Sequence, residues 1–125
     1  MTTLALVSKI LIGLVAVIHI YIFILEMFLW NKPIGLKTFR MSEAQAQATK
    51  VLAANQGLYN GFLAAGLIWA SVYPSAYFGR ELALFFLGCI VVAALYGSYT
   101  VGRKILFVQG LPAMFAFLAT LFVSF

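Results

Sequence analysis

Residues 55–66 read NQGLYNGFLAAG, so Asn55, Gln56, Tyr59 and Asn60 stand at the head of an apolar run that continues to position 72. How that run is read decides the fold. A soluble helix can carry such side chains anywhere on its outer surface, whereas a helix in lipid must give each one a partner or a wet cavity. The rest of the chain indicates which medium applies: its 125 residues are 65% hydrophobic and only 9% charged, with a mean hydropathy of +1.08. Soluble domains are roughly half apolar and a quarter charged. The composition therefore predicts a membrane protein whose main partner is the lipid bilayer.

A hydrocarbon core of about 30 Å takes about 20 apolar residues per helix. Apolar runs at about 4–30, 51–72, 82–101 and 105–125 meet that length and leave little else. The expected architecture is all-α, a single transmembrane domain over residues 1–125 forming an integral membrane four-helix bundle. The one long polar connection, 31–50, reads NKPIGLKTFRMSEAQAQATK. Pro33 and Gly35 end the first helix there, and Ser42 is a candidate N-cap for a helical lead-in through SEAQAQATK. YPSAYFGRE, broken by Pro74 and Gly79, makes the second connection, and Gly102, Arg103 and Lys104 make the third. Connections this short make neighbours antiparallel, in an up-down order.

Charge sets the expected orientation. Lys32, Lys37, Arg40, Lys50, Arg103 and Lys104 fall on one side, against Lys9 and Arg80 on the other. The positive-inside rule then puts the 31–50 loop in the cytoplasm and both termini on the non-cytoplasmic side. The same reading turns the net charge of +5 into an orientation signal and not a nucleic-acid footprint, so no nucleic acid is expected as a partner. MTTLALVSKI has no basic n-region and runs straight into a long span, so the first segment is expected to be a retained helix. With one cysteine, Cys89, no intrachain disulfide is expected. One His and one Glu in the first span are too few for a zinc site, so neither a metal nor a cofactor is predicted.

An ionisable residue inside a span needs a partner, an interface or a task. His19 and Glu26, in HIYIFILE, lie seven apart on one helix face, about 10 Å from each other along the axis. Two readings of Glu26 remain open: an ion pair with Arg103, Lys104 or Arg40 near the headgroups, or a buried carboxylate that accepts a proton or a ligand. At about 100° per residue, Asn55, Gln56, Tyr59 and Asn60 share an arc of about 140°, with Gly57, Gly61, Ala64 and Ala65 opposite. The small residues suit close helix approach, while the polar arc serves either as interhelical glue or as a cavity wall. In the third span, Cys89, Val92, Tyr96, Tyr99 and Arg103 form another stripe. Together His19, Glu26, the Asn55/Gln56/Tyr59/Asn60 arc and Tyr96, Tyr99 and Arg103 outline an expected cytoplasm-facing pocket for a small amphipathic or lipid-like molecule. A proton-coupled small transporter acting as a homo-oligomer is the alternative built on His19 and Glu26.

HIYIFILEMFLW, ANQGLYNGFLAAGL, ALYGSYTVGR and QGLPA together resemble domain-of-unknown-function family 1304, small proteins of the bacterial inner (plasma) membrane. The resemblance spans nearly the whole chain and implies a multi-pass location there. A more distant likeness is to the membrane-associated eicosanoid and glutathione metabolism (MAPEG) proteins, four-helix homotrimers. Asn55 and Tyr59 followed by Phe62, Leu63 and Ala64 are similar to their second-helix motif, and Tyr96 seven residues before Arg103 to their third. That likeness implies a thiol-transferring membrane enzyme using glutathione and a trimeric assembly. Leu58 stands where that motif has glutamate, Gly61 where it has proline and Val51 where it has arginine, so half of the glutathione-holding residues are absent.

Overall fold

In a computed structural model the described residues, 2–123, form helices and no strand. Helix α1 spans Thr3–Phe28, α2 Pro33–Phe39, α3 Glu43–Val72 and α4 Ala76–Thr100; a π-helical turn at Leu106–Gly110 then leads into α5, Leu111–Leu121. Two of these, α1 and α4, are long and apolar enough to cross a membrane, and Leu106–Leu121 is a shorter apolar helix. Helix α3 is the longest at 30 residues, yet its apolarity is diluted by Asn55, Gln56 and Asn60.

Local signals account for the starts. Thr2 Oγ1 accepts from the backbone N–H of Ala5 at 3.1 Å and caps α1. A reciprocal capping box opens α3: Ser42 Oγ accepts from Gln45 N at 3.1 Å while Gln45 Oε1 accepts from Ser42 N at 2.9 Å. The expected N-cap at Ser42 is therefore present, and it carries the helix eight residues further toward the N-terminus than the apolar run alone indicates. Ser75 caps α4 through Phe78 N at 3.4 Å, so the segment around Gly79, expected as a connection, is already helical.

The 31–50 connection is also more ordered than its polarity suggests. Pro33 follows the end of α1, but it also occupies the first turn of α2, where its missing N–H costs nothing. Gly35 makes this possible, since a Cβ there would run into the carbonyl oxygens of Leu29 and Trp30. The short helix ends at Arg40, which takes the left-handed conformation at φ 51°, while Met41 N donates to Leu36 O at 3.1 Å. At the far end of the chain, Pro112 cannot donate to the Val108 carbonyl and its ring crowds it. The preceding turn opens instead, so Leu111 N reaches back to Leu106 O.

The chain divides into two compact units, Ile18–Phe62 and Met1–Val17 with Leu63–Phe125. The second of these holds an apolar core in which Val15, Leu67, Leu87, Ile90 and Ala116 are almost fully buried. Alanines at positions 70, 83 and 113 belong to the same core and let helices approach closely, as small residues do in lipid. One polar contact is buried with them, Ser8 Oγ against Thr120 Oγ1 at 2.7 Å. The C-terminal end of α5 is held by Arg80. Its Nε donates to the carbonyls of Thr120 and Val123 at 3.1 and 2.8 Å, and its Nη2 donates to Leu121 O at 2.5 Å. Nη1 pairs with Glu81 at 2.7 Å.

In Ile18–Phe62, the ends of the helices are tied by an aromatic latch. Trp30 Nε1 donates to Thr49 Oγ1 at 3.0 Å, and that hydroxyl donates to Gln45 O at 2.8 Å. The Trp30 and Phe39 rings lie 4.7 Å apart. Leu25, Ala46 and Ala53 are buried in the same unit.

Candidate functional site

The chemistry of the Ile18–Phe62 unit centres on one contact between α1 and α3. Asn60 Nδ2 donates to Glu26 Oε1 at 2.6 Å and also reaches its own helix, at Gln56 O, 3.2 Å away. Both residues are buried, Glu26 at 4% and Asn60 at 8% exposure. A carboxyl group in apolar surroundings needs a hydrogen-bond partner, and the Asn60 amide supplies one.

Backbone proximity sets up this pairing. A Cβ at Gly57 would lie 2.9 Å from Glu26 Cβ, 3.0 Å from Met27 N and 3.2 Å from Phe23 O, so α3 rests directly on the backbone of α1. One turn on, a Cβ at Gly61 would lie 3.3 Å from the Phe23 ring. The expected small-residue surface is therefore used at Gly57 and Gly61, where its neighbour is the Phe23–Met27 stretch of α1, while Ala65 is exposed. Gly57→Ala gains up to about 1 kcal/mol of helix propensity, but the methyl meets backbone that cannot yield cheaply. We expect a net loss of about 1–3 kcal/mol, read as a lower thermal midpoint in detergent. Gly13→Ala, where a Cβ meets nothing within 4 Å, is expected to be neutral or stabilising in the same measurement.

The polar arc of α3 is divided by this packing. Asn60 turns inward with Gly57, whereas Asn55, Gln56 and Tyr59 face outward. Asn55 Nδ2 bonds back to Val51 O at 3.2 Å, and Tyr59 is 65% exposed with its ring edge-on to Phe62 at 6.0 Å. Gln56 lends the Glu26 site only its backbone carbonyl. His19 is buried at 1% exposure on the same α1 face as Glu26. Tyr96 and Tyr99 lie on α4, 70% and 90% exposed, and Arg103 follows α4 as an exposed residue. The structure thus brings together Glu26 and Asn60, and what joins the Glu26 carboxylate is an amide.

Sequence reasoning did not pick out Ser8 and Thr120 as a pair, although a small hydroxyl residue within each of two apolar runs was a usable signal. Nothing in the sequence pointed to Arg80 as the clasp of α5. Among the described residues no group of three or more His, Cys, Asp or Glu side chains is arranged to hold a metal ion.

Comparison with known proteins bears on the chain as a whole. Residues 13–121 match the family model described as "Protein of unknown function (DUF1304)". The uncharacterized protein YpaA of Lactococcus lactis subsp. lactis (strain IL1403) is 36% identical over 111 residues, covering 87% of this chain and 92% of YpaA. No solved structure matches. With a family model matched from the middle of α1 to the end of α5, and a relative aligned over nearly its full length, the chain belongs to the DUF1304 family.

Proposed function

We propose that this protein is a multi-pass membrane protein in which the Glu26–Asn60 contact receives the polar head of a small amphipathic molecule. In this reading α1, α3, α4 and the helix Leu106–Leu121 cross the bilayer, with the basic 31–50 loop in the cytoplasm and both termini outside. The hydropathy of α1 and α4 and the one-sided distribution of Lys and Arg support it.

The observation that carries the proposal is the buried 2.6 Å bond from Asn60 to Glu26. An amide supplies the carboxylate with a neutral donor, and a ligand head bearing ammonium or hydroxyl donors competes for the same oxygen with equal or greater strength. The alkyl tail of such a molecule finds its medium in the bilayer.

The probe for this is dodecylamine, compared with dodecanol, on protein reconstituted in nanodiscs and followed by thermal shift. Dodecylamine should give a saturable stabilisation larger than that of dodecanol. Glu26→Gln should weaken it by roughly 10- to 100-fold in apparent affinity, the worth of one charge-assisted hydrogen bond. Equal shifts by both probes, or a shift untouched by Glu26→Gln, reject the proposal.

A second reading has its own support: His19 and Glu26 are both buried on one face of α1, as a proton path requires. Proton-coupled flux in proteoliposomes that Glu26→Gln abolishes would favour it over simple binding. The thiol-transfer alternative draws on the MAPEG-like spacing of Asn55 with Tyr59 and of Tyr96 with Arg103.

A further inference from the structure

The outward face of α3 poses a question that the Glu26 site does not answer. Asn55, Gln56 and Tyr59 are exposed, and they are interleaved with Leu52 at 72% and Phe62 at 55% exposure. On a membrane-crossing helix this face meets hydrocarbon, which offers an amide neither a donor nor an acceptor. Asn55 satisfies one N–H on Val51 O, but its amide oxygen still needs a donor. The Gly57 and Gly61 side of the helix is already taken by Phe23–Met27 of α1, so the polar face is a separate surface.

We infer that this face, centred on Asn55 with Gln56 and Tyr59 beside it, is where a second copy of the chain docks. The inference rests on the membrane reading above. An amide carries a donor and an acceptor of opposite partial charge, so it is complementary to itself. Two copies inserted in the same orientation are related by a two-fold axis along the membrane normal, which brings each residue near the axis against its own counterpart. Asn55 then meets Asn55 of the second copy, each donating to the other, and Tyr59 and Phe62 close over the pair one and two turns along. Lipid tails satisfy none of these groups. Interhelical hydrogen bonds of this kind persist in membranes because the alternative partner is hydrocarbon.

Single cysteines at 55, 59 and 58, each introduced with Cys89→Ala into the full chain, test the surface by oxidation in native membranes. Asn55→Cys and Tyr59→Cys should give a disulfide-linked dimer, and Leu58→Cys, about 100° from Tyr59 around the helix and on the side away from Gln56, should give at least tenfold less. In a chain with its native cysteine, Asn55→Leu with Gln56→Leu should shift the monomer–dimer equilibrium toward monomer by roughly tenfold in detergent, the worth of two interhelical hydrogen bonds. Carbonate extraction of the same membranes reports insertion separately. Protein that resists extraction but gives no crosslink at 55 or 59, crosslinks equally at 58, or appears in a band larger than its dimer overturns this docking surface while leaving the membrane reading standing. Protein that carbonate releases overturns both.

Discussion

Asn60→Leu should cost about 3 kcal/mol of stability, most of which Glu26→Leu in the same chain should restore. The magnitude follows from what is left behind and not from what is lost. An interhelical hydrogen bond in a membrane is worth about 0.6 kcal/mol on average and about 1.7 at most, so removing glue alone gives a loss near 1 kcal/mol. Removing the Asn60 amide instead leaves a buried carboxyl group without that donor, and an unsatisfied buried polar group costs about 1–3 kcal/mol, more where it carries charge. Glu26 is 4% exposed, with Asn60 Nδ2 at 2.6 Å from its oxygen, which places it in the second regime. Replacing both partners by leucine removes the stranded group as well as the bond, and such exchanges are near neutral. The full cycle of single and double variants, unfolded in mixed micelles, therefore reads the coupling directly. A loss below 1 kcal/mol for Asn60→Leu, with no recovery in the double variant, would show that the carboxylate has another support and that the pair is ordinary packing.

Much of the helical content was legible because its signals are local. Ser42 acts over three residues and was read as an N-cap, whereas Ser75, which acts over the same distance before α4, stood in a segment read as a connection. Pro33 was ambiguous for an equally physical reason: a proline ends one helix and suits the first turn of the next. What selects the second outcome is Gly35 fitting under the carbonyls of Leu29 and Trp30, a contact no local pattern announces. Four apolar runs suggested four spans, but only α1 and α4 combine length with sustained apolarity, since the same polar residues that make α3 interesting dilute it.

The site was legible residue by residue and not in its pairing. Glu26 and Asn60 each stood out as polar groups in apolar runs, and the interest of both survives in the structure. Their union was hidden by rotation. Asn60 lies about 60° from Gly57 around the helix and about 100° from Tyr59, so it fits the small-residue face or the polar arc almost equally. Only the carboxylate on the neighbouring helix decides between them. Gly57 then matters twice, as the close approach that brings α3 onto α1 and as the reason that Asn60 can reach Glu26 without stretching.

Arg80 shows the opposite case, a residue whose local reading was reasonable and whose structural work was invisible. In sequence it is one basic residue of a connection; in the fold its guanidinium binds three carbonyls at the end of α5, Thr120, Leu121 and Val123. The last carbonyls of a helix have no partners within it, and a planar cation with several donors is well shaped to collect them. Arg80→Ala should therefore release the last turn of α5 at a cost of about 2–3 kcal/mol, the range for hydrogen bonds to a charged group. Arg80→Lys should recover less than half of it, because one ammonium cannot span three oxygens. The loss should not stay at the helix end: Thr120 also gives its hydroxyl to the buried contact with Ser8 at 2.7 Å, so Arg80→Ala and Ser8→Ala should combine less than additively, each loosening the residue on which the other acts. Hydrogen exchange at the Phe122 and Val123 amides, which bond to Leu118 and Thr120 carbonyls, is the direct readout, and it should accelerate about 30-fold or more for a loss above 2 kcal/mol. Exchange at those amides that is unchanged in Arg80→Ala would mean that α5 ends in place by its own packing, with the arginine only covering it.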